Sequence, residues 1–219
     1  MKKKMSKIVF FTLVGIAALS LTAQANIVIY DRLEGGSGDV ENVLYNDANR
    51  NEIDFTVDGF LNQSGEIVEF TSDELLRTPS GGQARIEAVD GSFTYLTFLL
   101  ADPDMGFNKV QFNLDAVEDG VVNLTFTDQF DTDFTGASPY ALSGSGQNWF
   151  TAIGEDGQVI ASVTINSSVG LAALADLAQV RLNPVPSGNG VAPIPEPATM
   201  VLLGAGLAGL GFIGRRRKK

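Results

Sequence analysis

Twenty-six Asp and Glu residues, with no His and no Cys, bound the chemistry open to this chain of 219 residues. Without histidine there is no Ser-His or Cys-His dyad and no imidazole zinc site. Without cysteine there is no thiol nucleophile, thiolate ligand or disulfide. Oxygen chemistry remains. Asp128, Asp131 and Asp133 fall in one expected loop and Asp102 and Asp104 in another. Hard oxygen ligands gathered this way can hold a structural Ca²⁺. Turns also select Asp for its local hydrogen bonding alone, so both readings stand. Asp47, Asn49, Asn51 and Asp58 have the spacing of a calcium loop, but Glu52 replaces its turn glycine and Asp58 its bidentate Glu. An EF-hand is therefore not expected. Two carboxylates about 5–10 Å apart could hydrolyse a glycosidic bond, yet nothing selects a pair among so many. Flat rings offer another chemistry, because they stack on sugar faces. Trp149, the one tryptophan, adjoins Phe150, and on a strand the two point to opposite faces. Trp149 and Tyr140 are the candidate sugar contacts, with Tyr95 behind them; core packing is the competing role for each.

The elements that must position these residues have a period of two. Ile53, Phe55 and Val57 alternate with polar residues, as do Val110, Phe112 and Leu114, and Val122, Leu124 and Phe126. Val159, Ala161, Val163 and Ile165 follow the same rhythm, broken by Ile160. Such runs are half-buried strands. Turn signals separate them, among them Asp90-Gly91, Asp119-Gly120 and Asp156-Gly157, the last predicting a hairpin. A short alanine-rich helix is considered only over residues 171–178. About ten strands without a βαβ rhythm predict an all-β domain over residues 26–182, an antiparallel β-sandwich of jelly-roll type.

The two ends read differently. Four lysines in the first seven residues precede an apolar run over 8–21, and Ala23-Gln24-Ala25 follows. That order predicts a signal peptide over 1–25, a helix removed by signal peptidase between Ala25 and Asn26. Five of the chain's eight prolines fall in residues 183–197, so 183–194 reads as a stiff linker of Pro, Gly and Ser. Residues 198–214 carry no charge, and five Arg and Lys end the chain. As a helix of about 1.5 Å per residue this run would nearly span a bilayer, its basic end cytoplasmic. Its G-x-G-x-x-G string lacks the strand–turn–helix context of a dinucleotide site.

With four cations in the signal and five at the C-terminus, six of the 15 remain against all 26 acids, a balance of −20 for the intervening part. Nucleic acid is not an expected partner of such a chain, because phosphate binding needs clustered Lys and Arg.

Pro195-Glu196-Pro197, the glycine-rich apolar stretch and the basic cluster together resemble the PEP-CTERM sorting signal of bacteria with two membranes. The resemblance implies a tail, residues 195–219, read and removed by a membrane protease of the exosortase type, with Pro195, Glu196 and Pro197 as recognition residues. Residues 78–103, 145–150 (SGQNWF) and 176–182 (DLAQVRL) also resemble segments that recur in PEP-CTERM surface proteins. No activity comes with that group. The expectation is an exported, non-enzymatic protein, transiently in the inner membrane and finally at the cell surface, outer membrane or biofilm matrix. Its association with extracellular polysaccharide is implied by the resemblance alone. The alternatives are a calcium-stabilised carbohydrate-binding or adhesive module and, third, a carboxylate-based glycoside hydrolase.

Overall fold

Alternating apolar residues draw the domain into thirteen strands: β1 (Asn26–Tyr30), β2 (Glu41–Leu44), β3 (Ile53–Leu61), β4 (Ile67–Arg77), β5 (Arg85–Ala88), β6 (Ser92–Leu100), β7 (Met105–Leu114), β8 (Gly120–Asp128), β9 (Asp133–Phe134), β10 (Tyr140–Leu142), β11 (Asn148–Glu155), β12 (Ile160–Ala172) and β13 (Leu177–Pro186). The computed structural model describes residues 26–36, 38–45, 52–78, 85–172 and 177–188. The expected signal helix, the rest of the linker and the sorting tail with its apolar helix lie outside the described residues. Among the described residues there is no helix, hence none long and apolar enough to cross a membrane.

The all-β, antiparallel expectation holds. The sandwich of separate sheets in jelly-roll order is not what the ladders draw. They form one sheet, ordered β1-β11-β7-β13-β2-β3-β4-β6-β12-β8-β10, with β5 bridging β13 and β4, and β9 on β8. Ile160 pairs with Phe107, joining β12 to β7 and closing a circuit of 7 strands. The interior is continuous, because facing parts of the circuit pack directly on each other. Phe98 of β6 and Phe112 of β7 are not ladder neighbours, yet their rings meet edge-on at 5.8 Å. Phe70, Phe107, Phe150 and Tyr140 extend that cluster. Residues 24–193 form one compact unit that holds every strand and this core.

Four local expectations are corrected. On β12 a register shift between Ile160 and Ser162 absorbs one residue, so Ile160 joins Val163 and Ile165 in the core while Ala161 turns partly outward. On β3 only Val57, Gly59 and Leu61 are buried; Ile53 and Phe55 are 57% and 51% exposed, beside a register shift between Asp54 and Thr56. At Asp156-Gly157 both residues have positive φ, 53° and 83°, which makes a tight turn. The flanking strands do not pair, since β11 joins β1 and β7 while β12 joins β6, β8 and β7. Finally, Leu171 and Ala172 end β12, and Leu177 and Ala178 begin β13, where a helix was considered; residues 173–176 lie outside the described residues.

β13 also runs on into the expected linker. Pro184 pairs with Phe107 and Pro186 with Met105, after a register shift at Asn183. β2 reaches only as far as Leu182, so no strand on that side asks these prolines for an N–H.

Candidate binding face

β7 is the strand that departs furthest from simple alternation. Val110, Phe112 and Leu114 face the core, so Lys109, Gln111 and Asn113 point the other way, toward the wet side of an ordinary sheet. All three are nonetheless buried, at 6%, 0% and 2% exposure. Cover comes from two sources. The segment after β1 crosses β7 and is tied down by side chains of the sheet. Thr151 Oγ1 donates to Arg32 O and accepts from Glu34 N, and Gln111 Nε2 donates to Glu34 O at 2.9 Å. Lys109 Nζ donates to Gly36 O and lies 3.0 Å from both carboxylate oxygens of Asp39. Gly35, at φ 73°, makes this crossing possible: a Cβ there would sit 3.1 Å from Lys109 Nζ.

The second cover is a pair of side chains. Trp149 of β11 is opposite Asn113, and Arg181 of β13 is opposite Gln111, on the two flanks of β7. Arg181 Cζ lies 5.5 Å from the centre of the Trp149 ring, so the two meet above β7. The guanidinium is otherwise held by neutral amides, Asn42 Oδ1 accepting from Nε at 3.2 Å and Gln179 Oε1 accepting from Nη2 at 3.4 Å. Trp149 Nε1 donates to Gln147 Oε1 at 3.1 Å, and both Trp149 and Arg181 keep part of their surface open.

Register lays out three rows across β11, β7 and β13: Ile153–Lys109–Asn183, Thr151–Gln111–Arg181 and Trp149–Asn113–Ala178. No carboxylate occurs in them, although the domain is crowded with acids. Among the described residues three buried side-chain polar atoms make no hydrogen bond: Tyr45 OH, Gln111 Oε1 and Asn113 Oδ1. Two of the three belong to these rows.

The other nominated residues have structural work. Tyr140 is 7% exposed, its ring edge-on to Phe150, and its hydroxyl accepts from Ala137 N. Burial and the nearby Asp31 raise its pKa, against the lowering effect of the Ala137 N–H. A ring so placed offers no face to a sugar, and Tyr140 is corrected to a core residue. Tyr95 is exposed on β6, its hydroxyl accepting from Thr97 Oγ1.

Asp128 is buried at the end of β8. Its Oδ1 accepts from Phe130 N and Thr132 N, each at 2.8 Å, and its Oδ2 accepts from Gln158 Nε2. Asp131 takes the left-handed conformation in that turn, φ 59°, and Asp133 Oδ1 accepts from Thr127 Oγ1. The carboxylates of Asp128 and Asp133 organise this turn, and Asp131 supplies its left-handed backbone. Among the described residues no group of three or more acidic side chains is disposed to hold a metal ion. Asp102 likewise closes its own turn, accepting from Asp104 N at 2.9 Å.

Sequence reasoning found Trp149 and missed Arg181, Gln111 and Asn113. The available signal was the outward row of β7, which holds Lys109 and two carboxamides and no acid.

Comparison with known families matches residues 193–218 to the model described as the PEP-CTERM protein-sorting motif. The chain carries a PEP-CTERM sorting motif. The match contains Pro195, Glu196 and Pro197, all of the apolar run and four of the five terminal cations. A PEP-CTERM motif implies processing by an exosortase, a membrane protease, and export through the membrane to the cell surface. No curated protein and no solved structure matches the chain.

Proposed function

We infer that this is a non-enzymatic component of the cell surface or biofilm matrix, associated with extracellular polysaccharide. It is delivered there by signal peptidase cleavage after Ala25 and exosortase-type removal of the tail at Pro195-Glu196-Pro197. The PEP-CTERM match carries this reading. It is supported by a domain that has a complete core of its own, and whose strong negative balance favours solubility and discourages nonspecific adhesion. The structural use of Asp128 and Asp133 weighs against the hydrolase alternative, since these carboxylates are spent on a turn. The carbohydrate-binding alternative draws support from the Trp149–Arg181 face.

The sorting step is tested by replacing Pro195, Glu196 and Pro197 with alanine in the full chain and fractionating the cells. The expected result is an uncleaved chain retained in the inner membrane. Normal cleavage and release of that variant would refute the motif's role. For the matrix, residues 24–193 should be retained by the producing strain's own polysaccharide in a pull-down. No retention would remove the polysaccharide association and leave a structural or protein-partner role.

A further inference from the structure

Six cations serve the mature part of the chain, and the described ion pairs use three of them: Arg32 with Glu34, Arg77 with Glu87 and Lys109 with Asp39. Arg181 forms no such pair among the described residues. In a domain this rich in carboxylates, this arginine is held by two amides and an indole and by no acid. Its charge is oriented and not neutralised. Beside it lie a partly open indole ring and, beneath the pair, two carboxamides whose oxygens have no partner.

These groups complement one class of ligand. An arginine fork suits a carboxylate, with two parallel N–H donors to its two oxygens. A Trp ring suits the C–H face of a pyranose. We propose that the Trp149–Arg181 face of β11, β7 and β13 binds a carboxylate-bearing saccharide, its ring on Trp149 and its carboxylate on Arg181. This deepens the polysaccharide association inferred above and rests on it, adding the site and the acidic chemistry of the sugar.

The domain's overall charge repels such a ligand at a distance. At about 0.15 M salt the Debye length is about 8 Å, so carboxylates elsewhere on the surface are screened while direct contact with Arg181 is not. The three rows carry no acid, and the two carboxylates of the covering segment, Glu34 and Asp39, are each paired with a cation, Arg32 and Lys109.

Trp149 is the only tryptophan, so its fluorescence reports this site alone. Residues 24–193 would be titrated with a galacturonate oligosaccharide and, separately, with its neutral galactose counterpart. Both titrations would be run at about 0.15 M salt, with a chelator present to exclude calcium bridging. Saturable change is expected with the acidic sugar and at least tenfold weaker binding with the neutral one. Arg181→Gln should weaken the acidic sugar by about tenfold or more, consistent with loss of a charge-assisted pair. Arg181→Lys should fall between the two. Trp149→Ala, followed by calorimetry, should lose binding while its far-ultraviolet dichroism stays that of the parent. Equal response to both sugars, no response to either, or an unchanged Arg181→Gln titration would overturn the proposal. If the strain's own polysaccharide still retains the domain in that event, the matrix association stands and only this site falls.

Discussion

Replacing Tyr45 with Phe removes one oxygen from the interior. The ring lies against Gly59, where a Cβ would come within 3.2 Å of Tyr45 Cε1, and the residue is 9% exposed. Its hydroxyl makes no hydrogen bond. A buried hydroxyl without a partner costs about 1–3 kcal/mol, so Tyr45→Phe should stabilise the domain by about 1 kcal/mol at neutral pH, taking the low end because the ring edge is near the surface. For a domain of this size that is a rise in Tm of about 2–4 °C. The pH dependence sharpens the test. Burial, followed by the charges of Glu52 and Asp58, raises the phenol's pKa well above its ordinary 10.0. In the unfolded chain it ionises near the ordinary value; in the fold it stays protonated. A raised folded pKa means stability that is complete below the unfolded value and lost as pH climbs through and beyond it. At pH 11, one unit above the unfolded value, the parent should lose a further ~1.4 kcal/mol relative to Tyr45→Phe. Urea denaturation of residues 24–193 and the variant at pH 7 and pH 11 measures both terms. A destabilised variant at pH 7, or a gap that does not widen at pH 11, would refute the reasoning.

Phe98→Ala, at the centre of the aromatic cluster, should cost about 3–5 kcal/mol by the same denaturation. Asp128→Ala strips the 128–132 turn of its acceptor and leaves Gln158 without its partner, and should cost about 2–3 kcal/mol. Because that carboxylate is committed to the turn, adding or chelating Ca²⁺ should leave the parent's Tm in place; a rise of several degrees with the ion would put a calcium site in the fold. Asp39→Asn weakens the tie on the buried Lys109 ammonium, but Asp39 is itself well exposed, so the loss should be about 1 kcal/mol. Hydrogen exchange should show it as faster opening of Glu34 N–H, without change in the core.

The period of two located most strands because it arises from the backbone itself, and β8 follows it from Val122 to Phe126 without a break. It lost phase where ladders slip. Ile160 looked like an imperfection because the slip beside it is set by partners on β6 and β8, some thirty to sixty residues away. The exposed start of β3 failed for the opposite reason: the pattern is right, but among the described residues nothing buries it. Residues 171–178 read as helix by alanine content, yet their flanks serve two long strands whose pairing outweighs local propensity. At the candidate binding face the indole was legible by type alone. Arg181 and Asn113 were not, because their meaning depends on β11, β7 and β13 lying side by side, and on the absence of acids across three distant segments.

The closed ladder has a consequence for a protein exported to the cell surface. An unpaired strand flank is a template on which a second molecule can add its own strand, and long flat flanks seed aggregates. Here the strand path ends in β1 and β10, of only 5 and 3 residues. Copies packed at high local concentration therefore find little backbone to zip together, and their like charge pushes them apart. Such a molecule can be accumulated densely outside the cell and remain a set of separate folded units, available to whatever its faces recognise.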